Sequence, residues 1–178
     1  PHAGNKNPDW TRGIKAKYNK HSGEFYILGM ESTRNTPAMV QALIEKTASA
    51  DGKDCYVSIP VDAGQAGVVV ADQKKARLTA LGYKAVLDKT RAGKLARAEP
   101  FLIALQEGKV YIVNGVFSKA DYNELESFDG AKNAGQHDDI IDAISSAFNI
   151  LKSNNLIPTI RINQKALTKM NLGGRTLL

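Results

Sequence analysis

The amino-acid sequence predicts a mixed α/β fold, in which a central β-sheet is flanked by helices. The main observation is that strand-like and helix-like patterns alternate up to about residue 151, as they do when helices connect and cover the strands of a sheet. A second observation is an opening pair of strand patterns joined by a short turn, which adds antiparallel strands. With 43% hydrophobic residues among 178, the chain is long enough for one compact domain with a core.

The first half of the chain contains a hairpin, a helix and a buried strand. The hairpin strands are "WTRGIKAKYN" and "EFYILGMES", and we expect His21 in the turn between them to be solvated. The helix is "TPAMVQALIEKTASA", because Thr36 can cap it and Pro37 fits its first position. The strand is "CYVSIPV", which ends near Asp62 at the turn "DAGQAG", before a helical pattern over residues 68–81.

The second half of the chain continues the alternation of strands and helices. The predicted strands are "YKAVLD" and "KVYIVNG", each a short apolar run. The predicted helices are "KLARAEPFLIALQEG", which ends at Gly108, the shorter "SKADYNELESF", and an aspartate-rich segment that begins near residue 138. The chain contains no G-x-x-x-x-G-K phosphate-binding loop, so it is not itself a P-loop ATPase.

Charge and composition restrict the class of the protein. The formal net charge is +6, and residues 152–178 carry five basic residues and no acidic one. This basic tail could follow a polyanion such as DNA, or it could be a solvated, partly disordered terminus; both interpretations stay open. The single cysteine, Cys55, excludes an internal disulfide framework and fits a reducing cytosol. No apolar stretch is long enough to span a membrane.

The segment "GQHDDIIDAISSAF" combines a carboxylate cluster with an amphipathic helix. Asp138 and Asp142 are four residues apart and share one helical face, whereas Asp139 projects to one side. Aspartates in a first helical turn also complement the helix dipole, which is an alternative reason for their presence. A third aspartate beside His137 favours a shared cation, and hard oxygen ligands suit Mg²⁺ or Mn²⁺.

A further carboxylate follows the buried strand in the first half of the chain. Asp62 lies at the C-terminal end of that strand, where open α/β sheets place their ligands. Gly64 and Gly67 follow it and allow a backbone or a substrate to approach closely. The alternative is an ordinary Asx turn. A strand-end aspartate together with aspartates at a distant helix start is one way to assemble a centre of two divalent ions that hydrolyses phosphodiesters.

Several other residues are candidates for contact with an anion or a metal. Lys94 and Arg97 are three apart on one helical face, where they could bind phosphate or simply be exposed, and Arg91 lies in the preceding loop. His137 could touch a metal or a phosphate, although capping or orienting the helix is the alternative that we favour. Trp10 is predicted to be a core anchor, with a base-stacking platform as the alternative.

Five segments, taken together, resemble a known family over about residues 7 to 151. They are "NPDWTRGI", "VDAGQAG", "AGKLARAEPFLIALQEGKVYIV", "YNELESF" and "HDDIIDAISSAF", and they occur in the order seen in the C-terminal nuclease domain of tailed-bacteriophage or prophage terminase large subunits. The last of the five is the most specific. Each of the others is weak alone, but all are collinear with the family.

The resemblance implies an RNase H-like nuclease domain over residues 1–151, followed by the basic tail of residues 152–178. It implies an enzyme that uses two ions, Mg²⁺ or Mn²⁺, to cut concatemeric double-stranded DNA during genome packaging. Its implied partners are DNA, the terminase ATPase domain, the small terminase subunit and the portal protein, and its implied location is the host bacterial cytoplasm. The implied site residues are Asp62 as the second carboxylate position, Asp138, Asp139 and Asp142 as the third, and Lys94 and Arg97 as basic positions near DNA phosphates.

The chain departs from the family pattern at two places. In many members a first catalytic aspartate lies on a strand that precedes the "PDWT" segment. This chain starts at Pro1, and we expect that strand and its aspartate to be absent from it. Asp9 is the nearest acidic residue, but it matches the aspartate of "PDWT" itself. Some relatives also have a glutamate where this chain has Pro60, so that Asp62 would have to serve in its place.

Two other functions remain open. The domain could grip DNA and dock on the packaging motor without cutting, which a missing first-strand aspartate favours and the compact acidic cluster disfavours. It could also be another RNase H-like nuclease, such as a junction resolvase or an RNase H proper. Such enzymes share the carboxylates but lack the "ARAEPF…GKV" segment, and they would be recognised by a preference for another nucleic-acid substrate.

Overall fold

The computed structural model describes residues 10–89, 92–130, 138–153 and 167–169. They belong to two compact units, the first comprising residues up to Arg34 and from Ala92 onward, and the second comprising Asn35–Arg91. The elements, in chain order, are β1 (Thr11–Asn19), β2 (Glu24–Thr33), α1 (Pro37–Asp51), β3 (Tyr56–Pro60), α2 (Gln65–Ala80), β4 (Lys84–Asp88), α3 (Lys94–Gln106), β5 (Val110–Val113), α4 (Lys119–Glu126), α5 (Asp139–Ser153) and β6 (Leu167–Lys169).

The first unit is built on a four-stranded mixed sheet with the order β1-β2-β5-β6. β1 and β2 form the predicted antiparallel hairpin, from the pair Thr11 and Thr33 to the pair Asn19 and Glu24. β5 then pairs with β2 in parallel, and β6 pairs with β5 in antiparallel orientation. The sheet therefore contains both orientations, as the sequence predicted.

The core of the first unit lies between this sheet and the helices α3 and α5. Phe25 of β2, Phe101 of α3 and Phe148 of α5 are buried and contact one another edge to face, with ring centroids between 5.1 and 6.2 Å apart. The predicted apolar stripe of α5 is confirmed, because its buried residues include Ile140, Ile144 and Phe148. Burial of this stripe sets the rotation of α5 and so decides where its aspartates project.

The second unit contains a two-stranded parallel sheet of β3 and β4, together with α1 and α2. Its core consists of small and aliphatic side chains, among them Ala48, Ile59, Ala71 and Leu78. The predicted start of α1 is confirmed, with Thr36 as the residue before the helix and Pro37 at its first position, but the Thr36 side chain makes no capping hydrogen bond. Parallel strands with a connecting helix are the arrangement that the alternation of patterns indicated.

The differences from the prediction include the start of α2 and an additional strand in the tail. α2 begins at Gln65, three residues before the predicted start, because Gly64 adopts a positive φ of 91° and turns the chain directly into the helix. The basic tail, for which no regular element was predicted, contributes the short strand β6. Three residues are too few to produce a recognisable alternation, and only pairing with β5 defines them as a strand. Among the described helices, none has the length and apolarity needed to cross a membrane.

Candidate active site

The aspartate-rich segment forms the start of α5, and a residue from α4 holds it in place. Asp138 directly precedes the helix, and its carbonyl accepts the N–H of Asp142 at 3.2 Å. The N–H of Ile140 is one of the donors that a helix start cannot pair internally. It donates to Oε1 of Glu124 at 2.8 Å. The position of the aspartates is therefore fixed from outside their own helix.

Asp138 and Asp142 face α3, where they meet two basic side chains. Nζ of Lys94 lies 3.0 Å from Oδ2 of Asp142 and also forms an ion pair with Asp138, while Arg97 pairs with Asp142. These four side chains, called the outer cluster below, are between 23% and 34% exposed. The spacing prediction that Asp138 and Asp142 share a face is confirmed, and the face has two cations as neighbours.

The contacts of the outer cluster bear on the predicted role of Lys94 and Arg97 in binding phosphate. Burial alone would lower the pKa of the Lys94 ammonium, but the hydrogen bonds and negative charges of Asp138 and Asp142 outweigh it and raise that pKa above its usual value. Lys94 is therefore protonated and positively charged at neutral pH. Lys94 and Arg97 are not simply exposed, the alternative considered for them, and a role for them on DNA phosphates stays a prediction.

Asp139 points in another direction, toward the start of β1. Its Oδ2 accepts the backbone N–H of Trp10 at 3.1 Å. The predicted sideways projection of Asp139 is thus confirmed, and its neighbour is a segment 129 residues earlier in the chain. The three aspartates form two groups, a pair facing α3 and a single carboxylate facing β1.

A buried group of charges, which sequence reasoning missed, contacts the start of α5. Nη1 of Arg12 donates to Asp121 and to Ser32 at 2.9 Å each, and Nη2 donates to Glu124 at 3.0 Å. The side chains of Arg12, Asp121 and Glu124, called the inner cluster below, are only 8% to 12% exposed. Because Glu124 also accepts the Ile140 N–H, the inner cluster links β1, α4 and the start of α5.

Asp121 of the inner cluster is held ionised by its neighbours. Burial would raise the pKa of this carboxyl, but hydrogen bonds from the Ser118 hydroxyl, the Ser118 backbone N–H and Arg12 outweigh it and lower the pKa below its usual value. Ser118 and Asp121 form a capping box at the start of α4. That S-x-x-D pattern is readable in the sequence, but nothing local indicates that Arg12 would join it.

The donor chemistry at α5 suits a divalent ion only in part. Carboxylate oxygens are the preferred ligands of Mg²⁺ and Mn²⁺. In the part of the chain that the structure describes, however, no three or more His, Cys, Asp or Glu side chains lie together as a metal-binding group. An ion at Asp138 or Asp142 would have to displace Lys94 or Arg97, whereas Oδ2 of Asp139 meets a neutral N–H donor. The predicted auxiliary residues His137 and Asp9, and the predicted DNA contact Arg91, lie outside the described residues.

Asp62 belongs to the second unit, where it lies two residues beyond the end of β3 and is exposed. The predicted close approach at Gly67 is confirmed, since a Cβ there would lie 2.4 Å from the carbonyl oxygen of Asp62. Asp88, at the end of β4, pairs in register with Pro60 and is buried. It was not identified as a candidate from the sequence. The joint role of Asp62 and the aspartates of α5 stays a prediction.

Comparison with known proteins adds one match. A family model described as "Terminase RNaseH-like domain" matches residues 1–151, which include every described element of both units except β6 and the last two residues of α5. No curated protein matches the chain, and no solved structure does. The match confirms the resemblance drawn from the five sequence segments, and with it the RNase H-like α/β class of the fold.

Proposed function

Because the chain belongs to the terminase RNase H-like family and is a nuclease-type terminase module, we propose that it cuts double-stranded DNA in a reaction that depends on a divalent metal ion. The substrate in this proposal is concatemeric viral DNA, cut during genome packaging. The observation that carries the proposal is the acidic start of α5. Three carboxylates lie at one helix start, which side chains and backbone from α3, α4 and β1 hold in place.

Asp139 and Asp62 are the proposed metal ligands. Asp139 has support from its position in the first turn of α5, where its Oδ2 accepts the backbone N–H of Trp10 and where carboxylate oxygen suits a divalent cation. Asp62 enters through its place just beyond the end of β3 and through the family resemblance. Asp138 and Asp142 are proposed as a further ligand or an acceptor close to the ions, once Lys94 and Arg97 turn to DNA. Two bound ions, Mg²⁺ or Mn²⁺, would supply charge to activate a water and to offset the leaving 3′-oxygen.

Basic side chains supply the proposed affinity for DNA. Lys94, Arg97, Arg91 and the basic tail would neutralise phosphates, so that binding weakens as salt is added. Contacts of this kind position DNA without reading its bases, and we expect little sequence preference. The ATPase domain, the small terminase subunit and the portal protein are the proposed protein partners, and the host bacterial cytoplasm is the proposed location.

The direct test is cleavage of supercoiled plasmid in Mn²⁺ or Mg²⁺ by the parent chain and three variants. We expect metal-dependent nicking and linearisation by the parent, and a loss of at least about 100-fold in Asp139→Asn and in Asp62→Asn, because each removes a ligand charge. Asp72→Asn is the matched control, since Asp72 is exposed on α2. Its activity should equal that of the parent.

If the parent is inert, the assay is repeated with a chain to which a segment carrying a strand and an aspartate has been added ahead of Pro1. Activity gained with that segment would support the nuclease and the expected first-strand aspartate together. If the longer chain is folded and still inert in both metals, the cleavage proposal is wrong.

One observation favours a second function, that of a DNA-gripping module that does not cut. Asp138 and Asp142 already have Lys94 and Arg97 as counter-ions, so part of the acidic cluster is neutral without metal. Such a module would bind DNA equally well with and without a divalent ion. A nuclease with ions at these carboxylates should bind more tightly when Ca²⁺ is present, because the ions offset the repulsion between carboxylates and phosphates.

A further inference from the structure

Trp10 contacts both the acidic start of α5, through its backbone, and an exposed arginine, through its ring. Its backbone N–H donates to Oδ2 of Asp139 at 3.1 Å. Its indole ring has two guanidinium groups nearby, with Cζ of Arg34 at 4.3 Å from the ring centroid and Cζ of Arg12 at 4.9 Å. One residue therefore touches both the proposed metal ligand and a pair of cations. The alternative considered for Trp10 was a platform on which a base stacks. The ring of Trp10 already has arginine close to its face.

The two arginines at the Trp10 ring differ in their exposure to solvent. Arg12 is 8% exposed and belongs to the inner cluster, where its Nη atoms donate to Asp121, Glu124 and Ser32. Its charge is balanced by two carboxylates. Arg34 directly follows β2 and is exposed. Of the two, Arg34 is the one that a ligand from solvent can reach.

Stacking on an indole prepares an arginine for binding phosphate. An exposed arginine normally loses considerable side-chain freedom when it binds a ligand. A guanidinium that lies over an aromatic ring is already restricted, and the stacking uses its face while its N–H edge retains the geometry that matches two phosphate oxygens. Cation–π contact with tryptophan is the most favourable of the aromatic contacts and holds the group in place.

From these contacts we propose that Arg34, held by Trp10, is a binding site for a backbone phosphate of DNA next to Asp139. The inference rests on the proposed function for the identity of the ligand, a DNA duplex, and names a residue that positions it. Arg34 offsets the repulsion that the carboxylate of Asp139 exerts on an incoming phosphate. Through Trp10, the same residue also ties the phosphate position to the carboxylate that is proposed to hold the metal.

The chain contains a single tryptophan, so its fluorescence reports on this position alone. A short DNA duplex added to the whole chain in Ca²⁺, which is used to bind without cutting, should change the emission of Trp10. Arg34→Gln should abolish most of that change and weaken binding about five- to tenfold, as expected for the loss of one charged bidentate contact. The slope of log Kd against log salt should fall by about the amount that one phosphate contact contributes.

Two further variants separate the local contact from overall charge. Lys20→Gln removes one positive charge from an exposed residue in the turn after β1, about 30 Å from Trp10 along nine strand residues. It should leave the fluorescence change and the salt slope as in the parent. Arg34→Lys keeps the charge but loses the planar group, so it should preserve most of the salt slope while weakening binding. Melting temperatures of all variants establish that they are folded.

The outcomes distinguish this proposal from the nuclease proposal. If cleavage is absent but DNA binding still depends on Arg34 and changes Trp10 fluorescence, the phosphate site stands and the nuclease fails. If the plasmid is cut and Arg34→Gln binds DNA with the affinity, salt slope and fluorescence change of the parent, the phosphate site is overturned and the nuclease stands. Equal weakening by Arg34→Gln and Lys20→Gln would also overturn it, since only overall charge would then matter.

Discussion

Two clusters of charge surround the first turn of α5, and they differ mainly in their access to water. The inner cluster of Arg12, Asp121 and Glu124 is 8% to 12% exposed. The outer cluster of Lys94, Arg97, Asp138 and Asp142 is 23% to 34% exposed. Both contain ion pairs between helices or strands that are distant in sequence. The inner cluster excludes solvent almost entirely, whereas the outer cluster shares its charges with water.

The difference in exposure separates a structural role from an exchangeable one. Charges withdrawn from water are costly to leave without a partner, so the members of the inner cluster hold one another and the start of α5 in place. Partly solvated ion pairs contribute little net stability, because water can replace either partner. Lys94 and Arg97 can therefore leave Asp138 and Asp142 for a phosphate at small cost. The inner cluster positions the site, and the outer cluster can take part in its chemistry.

The largest effect should come from opening the inner cluster. Arg12→Met leaves Asp121 and Glu124 buried without their cation, and we expect the free energy of unfolding to fall by about 3–5 kcal/mol. Urea denaturation followed by Trp10 fluorescence measures it in the first unit. Lys109→Met is the control, since Lys109 pairs with Glu107 at an exposed site of the same unit. A midpoint for Arg12→Met as high as for this control would contradict the structural role of the inner cluster.

Acid should also weaken the inner cluster, and the loss of stability should be smaller than that caused by Arg12→Met. The pKa of Asp121 is lower in the folded protein than its usual value, so its carboxylate contributes stability that is present above about pH 4 and is lost as the pH falls through the folded pKa. Ser118→Ala removes a hydrogen bond that lowers this pKa. At neutral pH it should cost about 1 kcal/mol of stability.

The pH dependence of Ser118→Ala provides the check. Its deficit relative to the parent should shrink in denaturation experiments between pH 4 and pH 2, because the protonated Asp121 no longer benefits from the bond. A deficit that stays constant across this range would mean that Ser118 acts only as a helix cap.

The smallest change in stability should come from the outer cluster. Lys94→Met removes the cation between Asp138 and Asp142, and we expect a loss of about 1 kcal/mol or less, because the site is partly solvated. The two carboxylates then repel each other, so millimolar Mg²⁺ should raise the melting temperature of this variant more than that of the parent. Equal increments in the two proteins would indicate that the ion does not bind at these carboxylates.

The spacing of residues along the chain was sufficient to predict the helices and strands. It was also sufficient to predict the directions in which individual side chains project. The alternating residues of the hairpin, the proline at the start of α1, and the apolar stripe of α5 all follow from neighbours two to four positions apart. The same spacing correctly assigned Asp138 and Asp142 to one face of α5 and Asp139 to another. The family resemblance then identified the fold class, since its five segments are collinear along the chain.

The partners of those side chains were decided only by tertiary packing. Arg97 meets Asp142 across 45 positions, Arg12 meets Asp121 across 109, and Trp10 meets Asp139 across 129. No local pattern encodes such pairs, because each depends on how burial of an apolar face rotates one element against another. The strand β6 could not be predicted for the same reason, since its three residues form a strand only by pairing with β5. Spacing along the chain thus determined where each carboxylate points, and the packing of distant segments determined which charge it meets.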